Sequence, residues 1–507
     1  MPIQPTYPGV YVQEVPSGVR TIAGVSTSIA MFIGRTKWGP VNEPISCLNY
    51  TEFLRTFTDD ISQGDMARAV RLFFINGGTR CYVNRIGANI DTALLTIQDG
   101  EGAPADSLTV SAKYPGDLGE SIHLIITNST TGVNGTFDLE LYRDIAGIKT
   151  DNQKWTGLSM NPTNQKYAPT YVNYKWAVLT SNEIVPATVP PTFNQFAPDN
   201  TADTQLAGGS DGITPLTNNE YTAAYDVIDK EVDLFNLMII PKDNSIDQED
   251  VWALASKFCL RRRAFLLMDP REEWTTYQEA THVTDGVNSL RTSLVKDHSA
   301  VFFPRLTVNE NGVTINVGPS GAIAGLMART DSNRGVWKAP AGTEADLRGI
   351  TGLEYRFSDS ENGVMNPRGI NIIRIFPNGI VNWGARTMDG DDDFASEYKY
   401  IPIRRTALFI EESLYRGLKW VVFEPNDEPL WAQVRLNVGA FMHNLFRQGA
   451  FQGTKKQDAY FVKCDSETTT QNDINLGIVN IWVGFAPLKP AEFVILYLQQ
   501  MTGQIQV

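Results

Sequence analysis

Cysteine is scarce in this chain of 507 residues: Cys47, Cys81, Cys259 and Cys464 are all it has. None stands in a C-x-x-C pair, which excludes a disulfide framework or a zinc knuckle and suits a reducing compartment. Histidine is equally scarce, at positions 123, 282, 298 and 443, without the H-x-x-x-H or H-E-x-x-H spacing of a metal site. No apolar run approaches the roughly 18 residues that a membrane span needs. The opening Met1-Pro2-Ile3-Gln4-Pro5 lacks the basic region and apolar stretch of a secretion signal, so a soluble protein made in the cytoplasm is expected. A cationic surplus is also missing: 43 Lys and Arg face 57 Asp and Glu, a formal charge of −14. Polyanion binding draws on excess Lys and Arg, so a general DNA- or RNA-binding role is disfavoured.

What is present is ordinary globular material. Apolar residues make up 42% and charged residues 20%, and 41 Gly with 27 Pro is near average usage. At about 150 residues per domain the length predicts roughly three units. A strand is predicted over Ile29 to Ile33, ending at Gly34. Asn49, with Glu52 three residues on, predicts a capped helix start. A helix follows from Asp65 to Ile75, stopping at Gly77-Gly78, and Cys81-Tyr82-Val83 begins another strand. From Asp91 to Ala207 the apolar period becomes two, as in Ile122, Leu124 and Ile126, and an inserted β domain is predicted. After Gly208-Gly209 strands and helices alternate again: Phe235 to Ile240, helix Asp250 to Arg261, Phe265 to Met268, Val301 to Phe303. Such alternation predicts a parallel, doubly wound sheet shared with the first block. The longest clear helix runs from Glu428 to Gln448. Trp431, Val434, Val438, Phe441, Met442 and Leu445 form its apolar face; Gln433, Asn437, His443, Asn444 and Arg447 lie on the other. Strand composition returns over Ala491 to Leu498 and Gln504 to Val507.

Catalytic patterns dissolve on inspection. Gly208-Gly209-Ser210-Asp211-Gly212 matches the G-x-S-x-G elbow, but the stretch before it is polar rather than an apolar strand. A Gly-rich loop re-entering the α/β block is the better reading. Asp269, His298 and Ser320 occur in the order of a triad, yet Ser320 reads more simply as the cap of a helix over Ala322 to Arg329. Asp389-Gly390-Asp391-Asp392-Asp393 has calcium-loop composition, with Phe394 where Gly is required and Tyr400 where the bidentate Glu is required. No cofactor pattern is present. The termini are more telling. Val10-Tyr11-Val12-Gln13-Glu14-Val15 and the last residues form β-type segments without a local partner. Each must pair with an edge of its own molecule or with a neighbouring copy, and the second solution gives an open polymer.

Several segments resemble the contractile tail sheath family of bacteriophages and phage-tail-like injection particles. They are Pro8-Gly9-Val10-Tyr11 with Glu14, Leu206 to Gly212, Gly325 to Asp331, Arg334 to Gly342, Asn371 to Arg374, Trp383 to Thr387, Phe423 to Asp427 and Ala486 to Phe493. The likeness spans nearly the whole chain, the β insertion being least diagnostic.

The resemblance implies an α+β multidomain structural protein, not an enzyme. It implies a subtilisin-like α/β domain over 21–90 and 208–350, with the β-rich outer domain inserted at 91–207. A C-terminal inner domain over 351–490 follows, with arms at 1–20 and 491–507. Arm residues Val10, Tyr11, Val12, Val15, Val494, Leu496, Leu498, Ile505 and Val507 would exchange strands with neighbours. The subunits would stack as hexameric rings around an inner tube and contract to drive it through a target envelope. Baseplate and tail-terminator proteins would be the other partners, with no nucleic acid contact, membrane insertion or cofactor. Assembly in a bacterial cytoplasm into a virion tail or an extracellular or cell-associated particle is implied. From position 401 onward ten Lys and Arg balance ten Asp and Glu, so Arg435, His443 and Arg447 are tube-facing candidates. The other reading of that helix is an ordinary amphipathic surface helix. A serine hydrolase using Ser210 or Ser320, or a non-contractile shell or baseplate component, remains the alternative.

Overall fold

The computed structural model describes residues 20–98, 106–133, 136–182, 201–212, 215–246, 248–394 and 396–497. The chain forms two compact units, the larger from 28–329 with 341–394, the smaller from the remainder.

An eight-stranded sheet centres the larger unit. Its spatial order is Gly379–Asn382, Ile370–Phe376, Ser299–Phe303, Phe265–Met268, Leu237–Ile239, Ala30–Gly34, Cys81–Arg85, Ile45–Cys47. The inner strands are parallel and the two outermost antiparallel to their neighbours. Strands covered on both faces need apolar residues in succession rather than alternation. Ala30–Gly34, Leu237–Ile239, Phe265–Met268 and Ser299–Phe303 are accordingly buried at every position. Met31 and Ile33 point into a core with Tyr221 and Tyr225 of helix Asn218–Glu231 and Trp252 and Phe258 of helix Gln248–Arg262. Phe32 points the other way, onto Phe73 of helix Met66–Ile75, ring centroids 5.7 Å apart.

Helix Met66–Ile75 also meets helix Ser320–Arg334 at backbone distance. A β-carbon at Gly321 would lie 2.4 Å from the Ala69 carbonyl oxygen, and one at Gly325 2.2 Å from that of Phe73. Neither obstacle is a movable side chain, so both positions require glycine. The local starts are as the sequence predicts. Asn49 Oδ1 accepts from the Glu52 amide at 2.8 Å, and Glu52 Oε2 accepts from the Leu48 amide at 2.7 Å.

Between Arg85 and Asn218 the chain builds two antiparallel sheets. One holds Leu94–Gln98, Asp106–Ala112 and Ala177–Ser181; the other holds Thr201–Gln205, Ile122–Asn128, Thr136–Ile145 and Ile148–Ser159. Ile122, Leu124 and Ile126 enter one core with Phe137, Leu139, Leu141 and Trp176, the outcome of the period-two pattern. The Lys37 ammonium lies 2.6 Å from carboxylate oxygens of both Asp117 and Asp211, and Arg85 donates to the Gly39 and Pro115 carbonyls at 2.7 and 2.8 Å. Burial opposes the Lys37 charge, but its two carboxylate partners outweigh burial and hold it above the ordinary lysine value.

The smaller unit packs helix Ile401–Gly417 and helix Glu428–Arg447 with the two-stranded ribbon Tyr460–Lys463 and Trp482–Phe485. Residues 20–27 belong to it: Ile22 is buried beside Gly417, and the Arg20 guanidinium lies 4.6 Å from the Trp420 ring centroid.

Three expectations need correction. The α/β block does not end at 350, because Ile370–Phe376 and Gly379–Asn382 are strands of the central sheet and 341–394 belong to the larger unit. The C-terminal domain therefore begins near 395 rather than 351, and it takes in 330–340 and the residues that follow the N-terminal arm. Ala491 to Tyr497 form no strand, since nothing among the described residues offers them a ladder.

Replacing Gly325 with Ala should destabilise the subunit by about 1–3 kcal/mol through the forced separation of the two helices. Gly363, inside helix Asp359–Met365 with open space around it, should accept Ala with no loss, gaining up to about 1 kcal/mol. Denaturant titration of both variants checks the contrast.

Candidate assembly interface

The smaller unit is held from within by one buried ion pair. Arg405 Nη2 and Nη1 lie 2.6 and 3.0 Å from the two carboxylate oxygens of Asp331, and the side chains are 3% and 4% exposed. Thr27 completes the cluster: its hydroxyl donates to Asp331 Oδ2 at 2.6 Å and its carbonyl accepts from Arg405 Nη2 at 2.9 Å. Three stretches distant in sequence thus converge on one two-pronged contact.

Helix Glu428–Arg447 starts at Asp427, whose carboxylate accepts from the Glu428 amide at 2.7 Å, with Pro429 in the first turn. The six predicted apolar-face residues are all buried. Asn437, expected on the polar face, is 1% exposed, with neither amide atom hydrogen-bonded. The three tube-facing candidates part company. His443 and Arg447 are exposed. Arg435 is engaged inside its own unit, by Glu428 two helical turns back and by the Cys464 carbonyl. The Glu428 hydrogen bond holds its guanidinium above the usual arginine value. The acid that captures Arg435, three residues before Trp431, is the first residue of the helix itself.

The ribbon pairs Tyr460 with Phe485 and Lys463 with Trp482. Tyr460 is buried, and Val462 and Phe485 pack against the same core, while Phe461 and Trp482 are exposed on the other face. A two-stranded ribbon is marginal alone, and this one depends on the helix beneath it. No third strand joins it among the described residues, so outward amide and carbonyl groups stay open to pairing. Downstream, Tyr400 Oη lies 3.2 Å from Glu492, and then Phe493, Val494, Ile495, Leu496 and Tyr497 follow, each 73–88% exposed. Five successive exposed apolar residues are a binding surface or an aggregation hazard. Val494 and Leu496 are thus placed in the open. Val10, Tyr11, Val12, Val15, Leu498, Ile505 and Val507 lie outside the described residues.

The catalytic candidates are not assembled. Asp269 follows strand Phe265–Met268 and His298 precedes the parallel strand Ser299–Phe303, with Leu266 beside Ser299. The sheet therefore keeps them at opposite ends of two adjacent strands, about 13 Å apart along the strand direction. His298 Nδ1 lies 2.9 Å from Asp297. Asp269 accepts the Ser320 amide at 2.8 Å and so caps the helix from outside, a role that sequence had given to Ser320 itself. Burial pushes the Asp269 carboxyl above its ordinary range. Ser210 exchanges backbone hydrogen bonds with Asp91 at 3.1 Å, and its hydroxyl accepts from the Gly212 amide at 3.1 Å, as in a turn. In the acidic turn, Asp391 pairs with Arg291 at 2.5 Å and Asp392 with Arg386 at 2.9 Å. Among the described residues no cluster of His, Cys, Asp or Glu is placed to hold a metal, and no helix is long and apolar enough to cross a membrane.

Two family descriptions match this chain: the phage tail sheath protein central domain over residues 214–388, and the phage tail sheath C-terminal domain over 393–500. The prophage major tail sheath protein of Pseudomonas aeruginosa strain UCBPP-PA14 is 27% identical over 229 residues, 42% of this chain and 56% of that one. The tail sheath protein of Vibrio phage KVP40 is 20% identical over 317 residues, 57% of this chain and 45% of that one. The chain thus spans about half the length of these curated relatives. Among solved structures, the contracted sheath complex of the extracellular contractile injection system PVC matches with TM-score 0.60 at 21% identity, covering 98% of both chains. A chain of the six-fold symmetrised baseplate of the anti-feeding prophage matches with TM-score 0.58 at 23% identity, covering 98% and 99%. The sheath tail protein of Desulfitobacterium hafniense gives 0.60 at 14% identity, covering 90% and 93%. These structural likenesses are likenesses of fold.

Asp331→Ala should cost about 3–5 kcal/mol by stranding the Arg405 charge, whereas Asp331→Leu with Arg405→Met should recover most of that loss. Chemical denaturation separates the two outcomes. Asn437→Leu replaces an unpartnered buried amide with an apolar side chain of the same branched shape and should stabilise by about 1–2 kcal/mol. A lowered unfolding midpoint would show that the amide has a partner.

Proposed function

The chain belongs to the phage tail sheath family, and from that premise we propose that it is a sheath subunit that polymerises by lending backbone to its neighbours. The observation carrying this reading is the pairing of opposites within one unit: a ribbon with open edges and, a few residues on, an exposed apolar segment without a ladder. Residues 493–507 of one copy would lie along the ribbon Tyr460–Lys463/Trp482–Phe485 of another, joined there by the N-terminal arm of a further copy around Val10 to Val15. Main-chain hydrogen bonds provide the connection, and alternate apolar side chains fix its register. Lender and receiver surfaces differ, so the contact is heterologous and propagates.

In this reading the subunits stack as hexameric rings around an inner tube, an arrangement favoured by the six-fold baseplate that matches the fold. The larger unit serves as the subtilisin-like body, with the β insertion outermost and the smaller unit innermost. The extended lattice is metastable. Contraction exchanges weak tube contacts for larger contacts between subunits, as the likeness to a contracted sheath supports, and many small gains along the lattice drive the tube through an envelope. Arg447 and His443 are the tube-facing residues, whereas Arg435 stays within its subunit. Exposed ion pairs are each worth at most about 1 kcal/mol, suitable for contacts that must release. A baseplate and a tail terminator close the two ends. The particle assembles in a bacterial cytoplasm and works as a virion tail or an extracellular injector.

Deleting residues 493–507 should leave folded, soluble subunits that no longer form tubes, as seen by circular dichroism and negative-stain microscopy. Deleting Val10 to Val15 should do the same. Normal tubes from both deletions would refute strand lending, and single rings from the intact protein would indicate a baseplate component instead. Arg447→Glu should lower tube occupancy inside assembled sheaths without altering the sheath.

A further inference from the structure

Cys47 and Cys81, far apart in sequence, face each other across the last pair of strands in the central sheet. Ile45–Cys47 runs antiparallel to Cys81–Arg85, with Cys47 on Cys81 and Ile45 on Val83. Directly opposed residues send their side chains to the same face, and both thiols are buried. The hydrogen-bond phase of Cys81–Arg85 identifies the kind of pair. On one side the Arg80 carbonyl accepts from the Ala30 amide and the Ile86 amide donates to the Gly34 carbonyl, so even-numbered residues serve the parallel neighbour. Odd-numbered residues face the other way, where the Arg85 carbonyl accepts from the Asn42 amide. Cys81 with Cys47 is therefore a hydrogen-bonded antiparallel pair, whose α-carbons stand about 5.5 Å apart. A disulfide spans about 4.4–6.8 Å between α-carbons.

We propose that Cys47 and Cys81 are a latent disulfide, reduced in a reducing compartment and closed by exchange with a small disulfide such as oxidised glutathione. This holds whichever way the subunits assemble. Cys47 sits on a three-residue edge strand beside exposed Ser46 and Leu48, so it is the thiol reached first. Its thiolate attacks one glutathione sulfur and releases one reduced glutathione, leaving a mixed disulfide. The Cys81 thiolate then attacks the Cys47 sulfur and releases the second. The two thiol protons end on the two released glutathione molecules, and two electrons pass to the oxidant, so no net proton is released. Burial first, and Cys47 next, hold the Cys81 thiol well above its ordinary value, so closure waits on opening of the edge strand. The other two cysteines are separately placed: Cys259 is buried against Met238, and Cys464 lies in the smaller unit. The bond would close a loop holding helices Tyr50–Thr56 and Met66–Ile75, the second being the helix that meets Gly325.

The test uses the full-length protein, incubated with oxidised glutathione, then denatured and alkylated with iodoacetamide. Two alkylations per chain are expected in place of four, a Cys47–Cys81 link in the non-reduced peptide map, and a rise of about 5 °C in unfolding temperature that reductant reverses. Cys47→Ala and Cys81→Ala should each abolish that rise. Four alkylations after oxidant, including after mild urea to open the edge strand, would overturn the proposal. So would a link to Cys259 or Cys464, or a glutathione adduct at Cys47 that never resolves.

Discussion

The two-pronged contact between Arg405 and Asp331, with Thr27 on the same carboxylate, is the constraint on which the smaller unit depends. Desolvating two charges is costly, and such a pair is tolerable only where geometry and further hydrogen bonds compensate. Here both guanidinium nitrogens are matched to both oxygens, and Thr27 satisfies one more lone pair and one more donor. An apolar contact could have supplied the stability. It could not so strictly fix which three pieces of chain meet, because hydrophobic contacts have no preferred partner.

The stretch from Gly325 to Asp331 carries two demands of different kinds. At Gly325 the demand is steric: the facing backbone leaves no room for a β-carbon. At Asp331 it is electrostatic: a carboxylate must meet a buried guanidinium. Both fall on a single helix. Such residues tolerate little substitution for reasons that have nothing to do with chemistry on a substrate.

Much of the fold was legible in the sequence. A short unbroken apolar run such as Phe265 to Met268, fenced by Asp269-Pro270, reads as a doubly covered strand, and the Asn49–Glu52 spacing marked its helix start correctly. Failures came where the deciding partner is remote. Strand Ile370–Phe376 follows its sheet neighbour Ser299–Phe303 only after a hairpin and helix Ser320–Arg334, so the division at 350 that the resemblance implies left it outside its sheet. Arg435 looked available because its partner Glu428 stands seven residues back, at the first position of the same helix. Asn437 sits at a position where helical geometry points inward, against its polarity. The pairing of Cys47 with Cys81 is a property of strand order, which no local pattern contains. The arms stayed an expectation, since the unpaired state of residues 493–497 is visible only when the sheets are counted.

A sheath of the proposed kind, moving while staying whole, would need connections of two strengths. A strand ladder repeats one modest hydrogen bond many times, tolerates sequence variation and can swing about its flanking residues without losing register. Exposed charges such as Arg447 give contacts that are short-lived, salt-sensitive and individually weak. If the permanent links were ionic, the lattice would dissociate as it contracted. If the tube contacts were ladders, the tube could never be released. On the proposed function, the exposed apolar segment Phe493 to Tyr497 would carry the lasting ladder and Arg447 on the long helix the releasable contact, so that the two demands would fall on separate surfaces.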